Sequence, residues 1–107
     1  MANFNRHQHQ ALYDVVASVT ATVDPASLAD GAGASTEVTV TGAKLGDIVE
    51  VGPGVDVADV IVNAFVTAAD TVTIRVQNES GGAVNLASST WNIIVKRPAA
   101  ALQQAAS

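Results

Sequence analysis

The segment 70–78 limits the choice of fold more than any other part of this 107-residue chain. Its apolar residues recur at every second position, and polar residues fill the positions between them. The apolar set is Val72, Ile74 and Val76, and the polar set is Thr71, Thr73, Arg75 and Gln77. A period of two is that of a β-strand with one face on a core and one polar face. The segment therefore predicts a half-buried strand, which the turn-forming run 78–82 ends.

Five further segments have the length and spacing of strands. They are 15–24, 35–41, 48–51, 60–67 and 90–97. In the first of them the alternation places Val15 with Ala17 and Val19, and in the last Trp91 is the best candidate for a core anchor. Short strands separated by Gly, Pro and Asp turns predict an all-β protein, a small antiparallel β-sandwich or flattened barrel.

Segment 60–67 differs from the others because it is apolar on both faces. Val60, Val62, Ala64 and Val66 share one face, and Ile61 and Phe65 lie on the other. A strand of this kind is either central in the fold or buried in a subunit contact. The short connection 68–70 predicts that it forms an antiparallel pair with 70–78.

The sequence predicts an N-terminal arm, 1–14, one β-sandwich domain, 15–97, and a flexible C-terminal tail, 98–107. A chain of this length suits one domain with a core of its own. The arm has no lasting period, yet it carries Phe4, Leu12 and Tyr13. Such an arm is either disordered or ordered by docking on a neighbour, and large apolar side chains outside the strand pattern favour docking.

Composition excludes several classes of partner. The net charge is −5 and the five basic residues are scattered, so we expect no nucleic-acid binding, which needs a basic patch. No apolar run is long enough to span a bilayer, and the polar N-terminus has no apolar signal-peptide core, so we expect no membrane partner. The chain has no cysteine, which excludes disulfides and thiolate metal sites.

The residue types needed for catalysis or metal binding are present but not in a recognisable pattern. His7 and His9 would project from one face if the arm were a strand and could then bind a metal, but solvated arm histidines fit the sequence better. Asp56, Asp59 and Asp70 could supply oxygens to calcium, although loop and strand-cap roles fit them better. We therefore expect no enzyme activity, no cofactor and no metal.

Two short motifs leave alternatives open. Asn78-Glu79-Ser80 matches a glycosylation sequon and is also a turn sequence. Lys96 and Arg97 end the last strand, where they act as edge charges against strand addition or meet an acidic partner surface.

Three blocks of sequence resemble a known family. Residues 42–53 resemble the "GA-x-x-GD-x-V-x-VGP" signature of small β-rich capsid decoration (cement or head-fibre) proteins of tailed bacteriophages. Residues 65–78 are similar to the "V-[ST]-A-x-[DN]-TVT-[IV]-R-[LFV]-x-N" strand pair of that family, and residues 91–96 to its closing "W-x-[VI]-x-V" strand. The resemblance covers roughly residues 19–97 and leaves out both ends.

The resemblance implies a virion structural protein that is made in the host cytoplasm and located on the capsid surface. Its expected partners are the major capsid protein and further copies of itself in a homotrimer, with Ile61 and Phe65 at the trimer contact. The residues expected to contact the capsid or a neighbour are Phe4, Arg6, Leu12, Tyr13, Lys96 and Arg97. The alternative is a phage fibre or host-attachment β-domain, against which the aromatic-free loops argue.

Overall fold

The computed structural model describes residues 12–99, which form a small β-sandwich. The strands are β1 (Tyr13–Val23), β2 (Gly33–Thr39), β3 (Ile48–Gly52), β4 (Val60–Ala68), β5 (Thr71–Asn78) and β6 (Ser89–Pro98). Two antiparallel sheets with the strand orders β1-β6-β3 and β2-β5-β4 enclose the core. The predicted all-β sandwich is confirmed. Nowhere in the described range is there a helix with the length and apolar character needed to cross a bilayer.

The two central strands, β5 and β6, supply the centre of the core. Val72, Ile74 and Val76 of β5 are at most 3% exposed, and Trp91 of β6 is 0% exposed. The alternation that predicted the inward face of 70–78 and the anchoring role of Trp91 is therefore confirmed. The predicted antiparallel pair also forms, with β4 and β5 joined by the two residues Ala69 and Asp70.

The first strand departs from its predicted alternation at a β-bulge. The register shifts between Val15 and Ala17, so Val16 is an extra residue in β1. An extra residue reverses the faces on one side of it. Val15 is therefore 64% exposed, while Val16 packs against the core. β1 also begins at Tyr13, inside the predicted arm, because Tyr13 pairs with Pro98.

The positions of β4 and β6 within their sheets differ from two interpretations of the sequence. β4 lies at the edge of its sheet, so its two apolar faces do not reflect a central position. β6 lies between β1 and β3, so Lys96 and Arg97 are not edge charges. Alternation within one strand carries no information on which strands flank it, and sheet order is decided by contacts that are distant in sequence.

Candidate functional site

The loop 40–47 between β2 and β3 is fastened to the β4–β5 hairpin. The Val40 N–H donates to the Asp70 carbonyl over 2.8 Å, and the Asp70 N–H donates to the Ala43 carbonyl over 2.9 Å. The Asp70 carboxylate accepts the Gly42 N–H at 2.8 Å. Ala43 is buried, and Gly42 has a φ of +95°, a conformation that favours glycine. The Gly-Ala step that starts the 42–53 block therefore has a structural role.

The same loop is tied to the end of β6 by an ion pair. Arg97 donates from Nε to Asp47 Oδ1 at 2.7 Å and from Nη2 to Asp47 Oδ2 at 2.8 Å. The Asp47 side chain is 3% exposed and also accepts the Lys44 N–H at 2.9 Å. The hydrogen-bonded guanidinium, which outweighs the opposing effect of burial, holds the pKa of Asp47 below its ordinary value. The same pairing raises the pKa of Arg97.

The Asp47–Arg97 pair should make folding stability depend on pH in the acid range. Because the folded carboxyl has the lowered pKa, the unfolded chain takes up the proton first as the pH falls. The stability from this pair is then complete above about pH 4 and is lost as the pH drops through the folded pKa. Asp47→Asn should lower the Tm by roughly a few degrees at neutral pH, and this difference should shrink as the pH falls below about 4.

Thermal unfolding followed by circular dichroism at several pH values measures this dependence. Asp59→Asn removes one carboxylate from an exposed loop and corrects for the change in net charge. A Tm difference for Asp47→Asn that stays constant across the acid range would show that the ion pair has no such role.

A shallow hollow of about 220 Å³ lies beside this ion pair. It is lined by Lys44, Leu45, Gly46, Asp47, Arg97 and Pro98. Its acid and its guanidinium are bonded to each other, so they do not form a free acid–base pair. Leu45 at this hollow is 71% exposed, and Gly46 beside it has a φ of +96°. The loop thus presents an apolar side chain from a fixed backbone, which suits a contact surface.

Asn78, the last residue of β5, is a buried amide at the opposite end of the sandwich. Its Nδ2 donates to the Leu28 carbonyl at 2.9 Å and to the Gly82 carbonyl at 2.8 Å. Its Oδ1 accepts the Ser80 N–H at 3.0 Å and the Ser80 hydroxyl at 2.7 Å. Asn78 is 0% exposed. The sequon interpretation is therefore wrong for the folded chain, because the nitrogen that would be modified is enclosed and bonded twice.

A first exposed apolar surface lies on the outer side of the β1-β6-β3 sheet. We call it the Lys96 patch and define it as Tyr13, Val15, Ile48, Ile94 and Lys96. In register, Val15 and Ile48 flank Lys96 on either side, and Ile94 lies two residues before Lys96 on the same face of β6. Val15, Ile48 and Ile94 are 64%, 42% and 37% exposed. They form one contiguous patch, which is more informative than scattered exposed residues.

The Lys96 ammonium group is already engaged within this patch. It forms an ion pair with Glu50 and lies 4.9 Å from the centre of the Tyr13 ring. Its aliphatic stem is thereby held between the apolar neighbours Val15 and Ile48. Lys96 and Arg97 both form ion pairs with acidic residues of the same chain, so neither is an unpaired cation available to bind an acidic partner surface.

A second exposed apolar surface lies on the outer side of the other sheet. We call it the β4 face and define it as Ile61, Asn63, Phe65, Thr73 and Arg75. Ile61 and Phe65 are 51% and 47% exposed, and Phe65 pairs in register with Thr73. Thr73 was predicted on the polar face and does lie there, yet it is 8% exposed and hydrogen-bonded to Thr67 at 2.8 Å. The β4 face therefore has a well-packed base under two large exposed side chains.

Arg75 on the β4 face is held in place by neutral partners. It donates to the Ser35 hydroxyl and to the Gln77 side-chain carbonyl, both at 3.3 Å. The Gln77 amide in turn donates to the Gly31 carbonyl at 3.0 Å. Between residues 12 and 99, Arg75 makes no ion pair. A positioned guanidinium beside exposed apolar residues is a composition typical of protein–protein contacts.

The remaining predicted site residues are only partly brought together. Phe4, Arg6, His7 and His9 lie outside the described residues. Leu12 is 45% exposed at the edge of the Lys96 patch, next to Tyr13. The three aspartates considered for calcium do not converge, and residues 12–99 contain no group of three or more His, Cys, Asp or Glu arranged to hold a metal. Asp56 instead accepts the Ala58 N–H within its own loop at 2.8 Å.

Comparison of the chain with family models, with curated proteins and with solved structures gave no match.

Proposed function

We propose that this chain is a capsid decoration protein of a tailed bacteriophage, which binds the outer surface of the major capsid lattice and stabilises the head. The observation that supports this proposal most is the pair of apolar surfaces, the Lys96 patch and the β4 face, on opposite sides of one sandwich. A chain with two such surfaces can contact two neighbours at once. The three sequence blocks that resemble decoration proteins agree with it.

The polar contacts that hold the two ends of the sandwich together also suit this role. The Asp47–Arg97 pair secures one end and the fully bonded Asn78 amide secures the other. A subunit that raises the cost of separating its neighbours must not deform under load. Contacts made by a preorganised surface also lose less free energy to ordering.

We assign the β4 face to the contact between copies of this chain. Ile61 and Phe65 are the apolar anchors, and Arg75 is the polar group between them. A closed homotrimer matches the local three-fold axes of an icosahedral shell. It also makes three lattice contacts together, so weak individual contacts add through effective concentration.

We assign the capsid contact to the opposite side of the molecule. It comprises the arm residues Phe4 and Arg6, the Lys96 patch with Leu12, and the exposed Leu45 next to it. Lys96 and Arg97 form ion pairs within the chain. They therefore contribute to the capsid contact through the fixed position of their aliphatic stems more than through free charge. Apolar burial by Leu45 and Ile48 then supplies the affinity.

Binding to undecorated phage heads tests the capsid contact. The purified chain should co-sediment with the heads, and Leu45→Ser should weaken binding about tenfold or more, since each copy in a trimer loses one anchor. Ala83→Ser changes an exposed residue at the far end of the sandwich and should bind like the unaltered chain. Failure of the unaltered chain to co-sediment would refute the proposal.

Light scattering tests the trimer separately. The molar mass measured for the unaltered protein in solution should be three times that of one chain. Replacing both Ile61 and Phe65 with lysine should give a monomer. Leu45→Lys, which places one lysine on the opposite surface, should remain a trimer. A monomeric unaltered chain would show the trimer assignment to be wrong.

A fibre or host-attachment domain is the second candidate, since the fold alone suits both positions. Copy number in the purified particle separates the two functions. Hundreds of copies on the head would support decoration, and a handful at the tail would support the fibre.

A further inference from the structure

The Lys96 patch lies where both ends of the described chain meet. The Ala99 N–H donates to the Leu12 carbonyl at 3.2 Å, so residues 12 and 99 are neighbours. Eleven residues precede this point and eight follow it. An exposed patch of Val15, Ile48 and Ile94 is costly to leave in water, and the nearest chain that could cover it is the chain itself.

The two ends leave this point on different sides of the sheet. Along β6, Lys96 and Pro98 face outward, whereas Ala99 is 7% exposed and packs inward. Tyr13, by contrast, lies on the patch, with its ring over Lys96. The N-terminal segment therefore enters the fold at the patch, and the C-terminal segment leaves from the buried side.

The N-terminal segment is long enough to cross the patch. From Leu12 to Phe4 there are eight residues, which reach at most about 26–29 Å when extended. The patch is three strands wide, and strands lie about 4.8 Å apart, so its far side at Ile48 is only about 10 Å away.

Tethering favours this segment over any free partner. A segment joined by a short flexible connection has an effective concentration on the order of millimolar. A free protein at micromolar concentration would need to bind about a thousand times more tightly to occupy the patch equally. The segment also has the right chemistry, since it carries an apolar side chain, Phe4, for the apolar patch and a basic one, Arg6, for Glu50, whose side chain is 59% exposed.

We propose that in the isolated protein residues 1–11 fold back over the Lys96 patch of the same chain, with Phe4 as the apolar anchor. This proposal does not depend on the function proposed above. Its test uses protein without heads, so its failure and the failure of head binding are separate results.

The test measures protection of a single cysteine, which the chain allows because it has none of its own. Ile94→Cys places the thiol within the patch. Thr90→Cys places the matched control on the same face of β6, near the far end of the strand and outside the patch. Each is made in the full chain, with and without Phe4→Ser, and the rate of alkylation by iodoacetamide is measured.

Phe4→Ser should raise the alkylation rate of Ile94→Cys about fivefold or more and should leave that of Thr90→Cys unchanged. The protection in the chain with Phe4 intact should be the same at all protein concentrations, because the contact is within one chain. Equal rates with and without Phe4→Ser would overturn the proposal. Protection that increases with protein concentration would also overturn it and would assign the patch to a second copy.

Discussion

Trp91→Ala is expected to lower the free energy of unfolding by about 3–5 kcal/mol, the range for removing a fully buried tryptophan. Trp91 is 0% exposed on the central strand of its sheet, and its Nε1 donates to the Ser89 hydroxyl at 2.9 Å. A domain of this size has a total stability of roughly 5–15 kcal/mol. The variant should therefore be close to unfolding at physiological temperature.

The local structure explains why the gap left by Trp91 cannot close. Its cross-strand partner on β1 is Ala21, which is too short to move into the space. β6 is hydrogen-bonded to a strand on each side, so its backbone cannot shift without breaking a ladder. The lost contacts then add to the lost apolar burial.

Urea unfolding followed by far-UV circular dichroism measures this effect, because Trp91 is the only tryptophan and fluorescence disappears with it. Trp91→Phe should cost less than Trp91→Ala, since the phenyl ring fills part of the space. Leu45→Ala removes an apolar side chain that is 71% exposed and should cost less than about 1 kcal/mol. Similar losses for Trp91→Ala and Leu45→Ala would contradict the central position of Trp91 in the core.

The strands themselves could be predicted because their signal is local. In β5, Val72, Ile74 and Val76 alternate with polar residues in one unbroken run, and the turn residues after Asn78 end it. A period of two needs no knowledge of the neighbouring strands. Burial of Trp91 follows in the same way, because Trp91, Ile93 and Val95 recur at every second position and share the inward face of β6.

The order of strands in each sheet could not be predicted, since it depends on pairing between distant segments. The same alternation fits β6 at an edge or in the centre, and only the ladders to β1 and β3 decide this. The bulge at Val16 has no sequence signal either, because Val15, Val16 and Ala17 are all apolar and either phase of alternation is acceptable.

The candidate surfaces were only partly visible in the sequence. Ile61 and Phe65 could be found, because an apolar residue on the polar side of a strand breaks the expected pattern. Ile48 carries the same signal, but its strand is so short that the pattern is weak. Leu45 lies between Lys44 and Gly46 in a loop, and an apolar residue in such a loop is itself a sequence signal for an exposed contact. Asn78 gave none, since a polar residue at the end of a strand fits a turn equally well.

Asn78→Asp is expected to be the second severe change, with a loss of about 3–5 kcal/mol at neutral pH although the side chains have the same shape. The substitution replaces the Nδ2 donor with an oxygen that faces the carbonyls of Leu28 and Gly82, 2.9 and 2.8 Å away. Both carbonyls lose their donor, and a carboxylate in that place would be buried against two acceptors. Asn92→Asp, on the exposed face of β6, is the matched control and should change stability little.

The loss of stability caused by Asn78→Asp should depend on pH. The direction of this pH dependence separates repulsion between the carboxylate and the two carbonyls from a simple misfit of the side chain. Burial against carbonyl oxygens raises the pKa of the new carboxyl above its value of about 3.9 in the unfolded chain. Between the pKa of the unfolded chain and the raised pKa of the folded chain, the unfolded state binds fewer protons than the folded state. The stability of the variant therefore falls as the pH rises, by at most about 1.4 kcal/mol per pH unit. At about pH 4 the neutral carboxyl can donate again to one of the two carbonyls, and part of the stability should return relative to the unaltered chain.

Urea unfolding of both chains between about pH 4 and 7 measures the difference in their free energy of unfolding. A pH-independent loss would show that the amide acts through its packing instead of its two donated hydrogen bonds.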